Sequence, residues 1–266
     1  MKFTAPHAAR LPDVTAEAIR RVHDQQIAEV QAALRELGAT GSPAAALATG
    51  MRLLRAPTLL TASSGTHELV EGVCLVIGTS QGAGGGGGGA GGGANQAAGA
   101  GGGAGITLQW ARGAPGVRVA GRSCPYTCGA AAAGGSNAGG NGSTGGDSQI
   151  TVTGIPFLAK GATGGGGLAS TALGTVFGGV GQGGSSAYPG TWATSLRGNM
   201  GFVTGGGGFS GAGGASPFGI AGAPGLLGDG GAASGYGAGG GGANATAAGK
   251  VGGASTGGCH LIWEFG

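Results

Sequence analysis

Ser80 has the most reactive-looking context in the chain. Gly78-Thr79-Ser80-Gln81-Gly82 has the G-x-S-x-G spacing of a nucleophile elbow, and Asp147 or Asp229 and then His260 follow in the order a serine hydrolase uses. An elbow has to lead from a strand into a helix, however, and here Gly82 leads into oligoglycine. The same spacing recurs at Gly253-Ala254-Ser255-Thr256-Gly257, which shows that composition alone generates it. Gly249-Lys250 resembles the end of a phosphate loop, but Asn244 stands where the first glycine is needed and Val251 where a hydroxyl must hold the metal. Cys124-Pro125-Tyr126-Thr127-Cys128 suits a local disulfide, free thiols or half of a metal site; no second pair follows in sequence, although Cys74, Cys259 and His260 can lie near in space. The histidines at 7, 23, 67 and 260 show no ligand spacing. The reading is that of a non-enzymatic chain with no catalytic residue, no cofactor and no metal.

The elements that would carry any site are unusual. Of 266 residues 72 are glycine and 10 are proline, whereas only 9% are charged. This composition excludes an ordinary enzyme core, and the low charge separates it from chains kept disordered by self-repulsion. A net charge of +3 from scattered basic residues leaves no footprint for nucleic acid. No apolar run is long enough to span a bilayer, and Met1 to Asp13 lacks the apolar region of a secretory signal, so a soluble product is expected.

Charge divides the chain near Pro57. Residues 1–56 hold 7 Lys+Arg and 5 Asp+Glu. Within them Asp13 or Thr15 can cap a helix, Gly38 can end it, and Ile19, Val22, Ile27, Val30, Leu34 and Leu37 recur at helical spacing. The last four keep a seam-like rhythm on a rod of about 35 Å. So long a lone helix is marginal in water, which makes 1–56 an N-terminal helical attachment or oligomerisation segment.

Residues 57–266 read as strands framing glycine. Strands are expected at 58–61, 66–70, 73–77, 106–110, 117–120, 150–152 and 259–265, with a tight turn at Glu71-Gly72. Ordering a glycine costs about 0.5–1 kcal/mol more than ordering an alanine, and side chains cannot recover that across runs such as 84–93, 101–105 and 134–146. Main-chain pairing can. Extended three-fold helices leave every N–H and C=O free for a neighbour, and only glycine lets such helices approach closely. The expected fold is mostly β and irregular: an N-terminal α-helical segment, then β-strands around a polyglycine II helix lattice whose alanines point outwards.

The stretch Leu59 to Gly78, running into Gly84 to Gly89, resembles the opening of the glycine-rich domain of bacteriophage tail proteins, in which a strand pair, an apolar strand and oligoglycine follow one another. Ser148 to Val152, Ala159 to Gly167, Gly235 to Gly242 and Gly257 to Phe265 are similar to its middle and end. The resemblance covers residues 57–266 and departs from the family at His260, at Trp263 and in the Cys124–Cys128 insert. It implies a virion protein, a tail-fibre or tail-tip receptor-binding adhesin assembled in the host cytoplasm. Its N-terminal helix would join other tail proteins, as a homotrimer, and its distal loops would meet an outer-membrane receptor, protein or glycan. A head-fibre or decoration protein is the alternative. Rigid aromatics in glycine-flanked segments are the candidate contact residues: Tyr126, Tyr188, Trp192, Phe202, Phe218 and Tyr236, with Tyr188 and Trp192 in the glycine-poor insert 185–197.

Overall fold

The computed structural model describes residues 50–92, 97–168, 192–204 and 207–266, together with the strand backbones 174–176 and 185–186. The expected helix, with Ile19, Val22, Ile27, Val30, Leu34 and Leu37, lies outside the described residues.

Among the described residues there is no helix, and the regular elements are strands. In chain order they begin with β1 (Thr58–Leu60), β2 (Ser64–Glu68), β3 (Leu75–Gln81), β4 (Ala97–Ala98), β5 (Thr107–Gly113) and β6 (Ser123–Thr127). Next come β7 (Ser148–Val152), β8 (Ile155–Ala159), β9 (Gly174–Val176), β10 (Ser185–Ser186), β11 (Trp192–Thr194) and β12 (Gly201–Thr204). β13 (Gly207–Phe209), β14 (Gly219–Ile220), β15 (Ser234–Gly235), β16 (Asn244–Ala245) and β17 (Cys259–Phe265) complete them.

Two five-stranded antiparallel sheets, β1-β17-β3-β5-β11 and β10-β8-β7-β6-β2, face each other. Their shared core holds Val76, Leu108, Trp110 and Ile262 from the first and Cys124, Ile150, Val152 and Phe157 from the second. Alternation along β17 decides the faces: Ile262 points into that core, whereas Phe265 packs with Met51, Leu75 and Ile77 on the far side of its sheet. Gly78 stands opposite Trp110, and a Cβ there would overlap the indole. The missing side chain lets the ring lie across β3 and stack on Phe157, with centroids 4.5 Å apart and planes 13° from parallel.

The Glu71-Gly72 turn forms, with Gly72 at φ 88°, but it carries the chain from one sheet to the other rather than closing a hairpin. No strand forms at 117–120. Gly116 and Gly121 take left-handed conformations on either side, φ 76° and 81°, which limits that piece to one bridge and one bond from Val119 to Val73.

Beyond the sheets the glycine tracts bond in an order that neither helix nor sheet uses. Gly85 and Gly88 donate to Gly103 and Ala100 (2.9 and 2.7 Å), Gly86 and Gly89 to Ser143 and Gly140 (3.0 and 2.9 Å), and Gly87 and Ala90 to Gly253 and Lys250 (both 2.9 Å). Every third N–H thus returns to the same neighbour, three residues earlier, so those three tracts run antiparallel to 84–90. Three further tracts donate into it: Gly165 and Leu168 to Gly86 and Gly89, Gly240 and Ala243 to Gly85 and Gly88, and Gly135 to Gly87. One tract therefore has six neighbours. Residues 237–243 form a second such hub, bonded to tracts at 85–88, 99–105, 211–214, 222–225, 231 and 253–257.

These registers give the array two ends. Tracts leave β3, β6 and β8 and return into β5, β7 and β17, so Gly82, Gly105, Gly129 and Gly258 mark the sandwich end. Ala90, Gly99, Gly211, Gly225 and Ala243 mark the far end. Polar side chains stand in for backbone partners where the tracts meet the sheets. Gln81 Nε2 donates to Gly105 O at 2.8 Å while its Oε1 accepts from Thr107 at 2.6 Å, Ser148 Oγ accepts from Gly129 N at 2.9 Å, and Asp147 Oδ1 accepts from Gly161 N at 2.8 Å.

The alanines require a correction. Those of the outer tracts, Ala130, Ala133, Ala223 and Ala254 among them, are exposed as expected, but those of the inner tracts do not point outwards: Ala83, Ala100, Ala104, Ala162, Ala238 and Ala243 are buried, and Ala90, Ala97, Ala243 and Ala245 pack on one another. Methyl groups that meet each other need not meet a carbonyl. A Cβ on Gly87, by contrast, would overlap the Gly241 carbonyl, whereas one on Gly228 would enter open space. Gly87→Ala is therefore expected to destabilise by about 3 kcal/mol or more and Gly228→Ala by less than about 0.5 kcal/mol, as read by thermal unfolding.

Candidate functional site

Folding brings Ser80 and His260 together, because β3 pairs with β17 and the two residues are directly opposite. His260 Nδ1 lies 2.8 Å from Ser80 Oγ, and its Nε2 lies 3.0 Å from the Thr127 carbonyl. The Thr127 carbonyl can only accept, so Nε2 carries the proton and Nδ1 accepts from the serine hydroxyl. Trp110 Nε1 donates to the same Oγ at 2.8 Å. The serine oxygen is thus tied on both sides, and Ser80, Trp110 and His260 are all buried. Neither candidate acid joins them: Asp147 accepts from Gly161 N, and Asp229 accepts from Val251 N at 3.0 Å at the far end. A chain of hydrogen bonds without solvent access is a structural network, not a nucleophile waiting for substrate.

Burial has a measurable consequence there. It pushes the His260 imidazole down from 6.5 to about 4, against the smaller opposing pull of its bonds to the Thr127 and Gln149 backbone. A second buried group sits on the same strand. Glu264 accepts from Val70 N at 2.6 Å and from His67 Nε2 at 2.9 Å, and it is paired with Arg55. Burial raises its pKa, but the bonds from His67 and Val70 and the Arg55 charge outweigh that, and the carboxyl is held below its usual 4.5. This cluster fastens the strap 51–55 to β17, alongside paired bonds between Arg52 and Gly266.

The cysteines do not assemble into a site. Cys124 and Cys128 are four residues apart on and just beyond an extended strand, about 13 Å, roughly twice what a disulfide spans, so no local bridge closes. Burial lifts the thiols of Cys124 and Cys128 to about 11 and that of Cys259 to about 12, which leaves them protonated and unreactive. No group of three or more metal-binding side chains occurs among the described residues. Lys250 belongs to the glycine array, where its backbone exchanges two bonds with Ala90.

The candidate contact aromatics fall in different places. Tyr188 lies outside the described residues, and Trp192 opens β11, opposite Gln109 at the edge of the first sheet. Tyr126 is half-buried against the sandwich core, edge-on to His260 at 6.0 Å, above Gly65, whose missing Cβ makes room for it. Phe218 and Tyr236 are joined by a backbone bond of 3.0 Å beside β14 and β15. That hairpin borders a cleft of about 420 Å³ lined by Ser216, Pro217, Phe218, Ile220 and Ser234. Phe202 stands at the far end of the array, stacked on Phe209 with centroids 5.0 Å apart.

The residues that keep company with Phe202 are not among the candidate contact residues. Ser210 Oγ donates to Gly225 O at 2.7 Å, and Asn244 joins Gly208 O through its side chain (2.6 Å) to Gly228 O through its backbone (2.9 Å). The Phe202–Phe209 hairpin and the turn carrying Leu226 and Leu227 therefore share one end. Leu226 is 88% and Leu227 62% exposed, and Leu227 holds φ 59°, a conformation costly for leucine. Their signal was visible as two leucines inside Pro224-Gly225-Leu226-Leu227-Gly228, where a turn offers no core to enter.

Neither a family model nor a curated protein matches this sequence.

His260 binds protons more readily unfolded than folded between pH 6.5 and about 4. Its contribution is therefore complete above pH 6.5 and fades as pH falls through about 4, a span worth roughly 3 kcal/mol. Glu264, with its folded value depressed, adds a loss that begins below pH 4.5. Unfolding free energies measured across pH 3–8 should show both slopes, with His260→Gln flattening the upper and Glu264→Gln the lower.

Proposed function

We propose that this chain is a bacteriophage virion protein, a tail-fibre or tail-tip receptor-binding adhesin, whose body is a polyglycine II lattice. The period of three in the tract-to-tract bonds and the six neighbours of residues 84–90 support the lattice reading. The observation that carries the functional reading is polarity. The described chain starts at the sandwich, where Met51 packs on Phe265, while exposed Phe202, Phe209, Leu226 and Leu227 project from the opposite end of a rigid array. Such a body suits attachment at one end and contact at the other.

In this reading residues 1–56 join the chain to other tail proteins through the stripe Ile19 to Leu37, as a homotrimer, and the far end meets an outer-membrane receptor on the host. Soluble-looking surface leucines and phenylalanines in one place on an otherwise glycine-walled body are the kind of patch that marks a contact site. The insert with Tyr188 and Trp192, which joins the sandwich edge strands β10 and β11 in sequence, would contribute a second contact segment on the flank of the body, apart from the far end.

Replacing residues 188–192 with a glycine-serine segment, in particles that still assemble, should lower adsorption to host cells. Unchanged adsorption would favour the head-fibre or decoration alternative. Amide exchange of the tracts 84–90 and 237–243 should be slowed by more than about a thousandfold against an unstructured peptide, and exchange at the free-peptide rate would remove the lattice and the adhesin reading with it.

A further inference from the structure

We infer that the far end of the glycine array is a lipid-inserting tip, in which the Leu226–Leu227 turn and the Phe202–Phe209 stack enter the apolar boundary of a bilayer. The inference rests on the adhesive reading of that end and names its partner as the membrane lipid itself.

Four observations carry it. Leu226 and Leu227 project from a tight turn, and Val251, whose N–H bonds to Asp229 just beyond that turn, is exposed as well. Leu227 keeps its left-handed backbone while exposed, so the turn is held out by its anchors, Gly225 bonded to Gly242 and Gly228 to Asn244, and not by burial of its own side chain. Polar side chains there are turned to internal use: Ser210 donates to Gly225, Asn244 to Gly208, and Asp229 accepts from Val251. Elsewhere on that end Ser136, Asn137, Asn141 and Thr246 are exposed, so the inserting part is the corner formed by the Leu226–Leu227 turn and the Phe202–Phe209 stack and not the whole face.

Charge is distributed to match. Beyond Lys160 the sequence holds only Arg197, Asp229, Lys250 and Glu264. Glu264 is in the sandwich and Arg197 follows Leu196, which bonds to Ala104 towards the sandwich, so the far end keeps one Asp and one Lys of opposite sign. Arg52, Arg55, Glu68, Glu71, Arg112, Arg118 and Arg122 all lie with the sheets. Among the described residues the charges gather at the sandwich end and the far end carries no net charge, which suits entry into a charge-excluding medium. Binding driven this way depends on apolar area, so it is indifferent to salt and to anionic headgroups.

The test is flotation of the full-length protein with vesicles of phosphatidylcholine alone and of phosphatidylethanolamine with phosphatidylglycerol. The double variant Leu226→Ser, Leu227→Asn suits the turn, because asparagine tolerates positive φ. The bound fraction should be similar for both lipids and at high salt, and should fall at least about tenfold in the double variant with an unchanged melting curve. Leu59→Ser, an exposed leucine of the sandwich, should leave it unchanged. Wild-type protein that fails to float, or a double variant that floats equally well, overturns the inference. Adsorption to bacteria that is lost in the double variant without any vesicle binding assigns the tip to a protein or glycan receptor, overturning lipid insertion and leaving the adhesive reading intact. Vesicle binding with no adsorption to any bacterium does the reverse.

Discussion

The hydrogen bond between one glycine's N–H and a carbonyl on a neighbouring tract is the interaction on which this body depends. Ordering a glycine costs about 0.5–1 kcal/mol more than ordering an alanine, and a net intramolecular hydrogen bond returns about 0.5–1.5 kcal/mol. The two are so close that a lattice is stable only if nearly every donor finds its acceptor. That explains the polar side chains at its margins. Gln81, Asp147, Ser148, Ser255 and Thr256 each hold a main-chain group where a tract gives way to a strand or meets an irregular neighbour. It also fits the gathering of buried methyl groups at Ala90, Ala97, Ala243 and Ala245, where they meet one another instead of a carbonyl.

The sandwich solves a different problem. Glycine tracts carry little that fixes their register, since within a run sliding by one turn exchanges one glycine for another and only the occasional alanine resists it. The sheets supply that information through side chains. Trp110 over Gly78 and against Phe157, and His260 threaded from Ser80 to Thr127, tie the ends of the strands that feed the tracts. A buried polar chain of this kind is stabilising only when every member is satisfied, and so it tolerates a single alignment of β3, β5, β6 and β17.

Much of this was legible in the residues. β17 occupies the stretch its apolar alternation indicates, β1 ends one residue short of it, and the mostly β character follows from the composition. Other features were hidden for physical reasons. β6 and β8 each contain a proline, which argues against a strand in sequence but is accommodated where its missing N–H is not needed. Residues 117–120 look like a strand, and only the backbone of Gly116 and Gly121 reveals that they are not. The Ser80–His260 contact follows from strand pairing across 180 residues, which no local spacing encodes, and the same pairing that creates it also seals it. Of the aromatic candidates, Phe202 is at the exposed end while Tyr126 serves the core, a difference decided by which tract each follows rather than by its glycine-rich surroundings.

The hub at residues 84–90 takes its partners from near 100, 135, 142, 166, 241 and 252. Nothing local can substitute for them. A nascent chain therefore carries its longest glycine run unpartnered through most of synthesis, and the body closes only once its last strand has emerged. Assembly is then a late, chain-wide event of high contact order, and truncations near the C-terminus remove the body as a whole instead of shortening it.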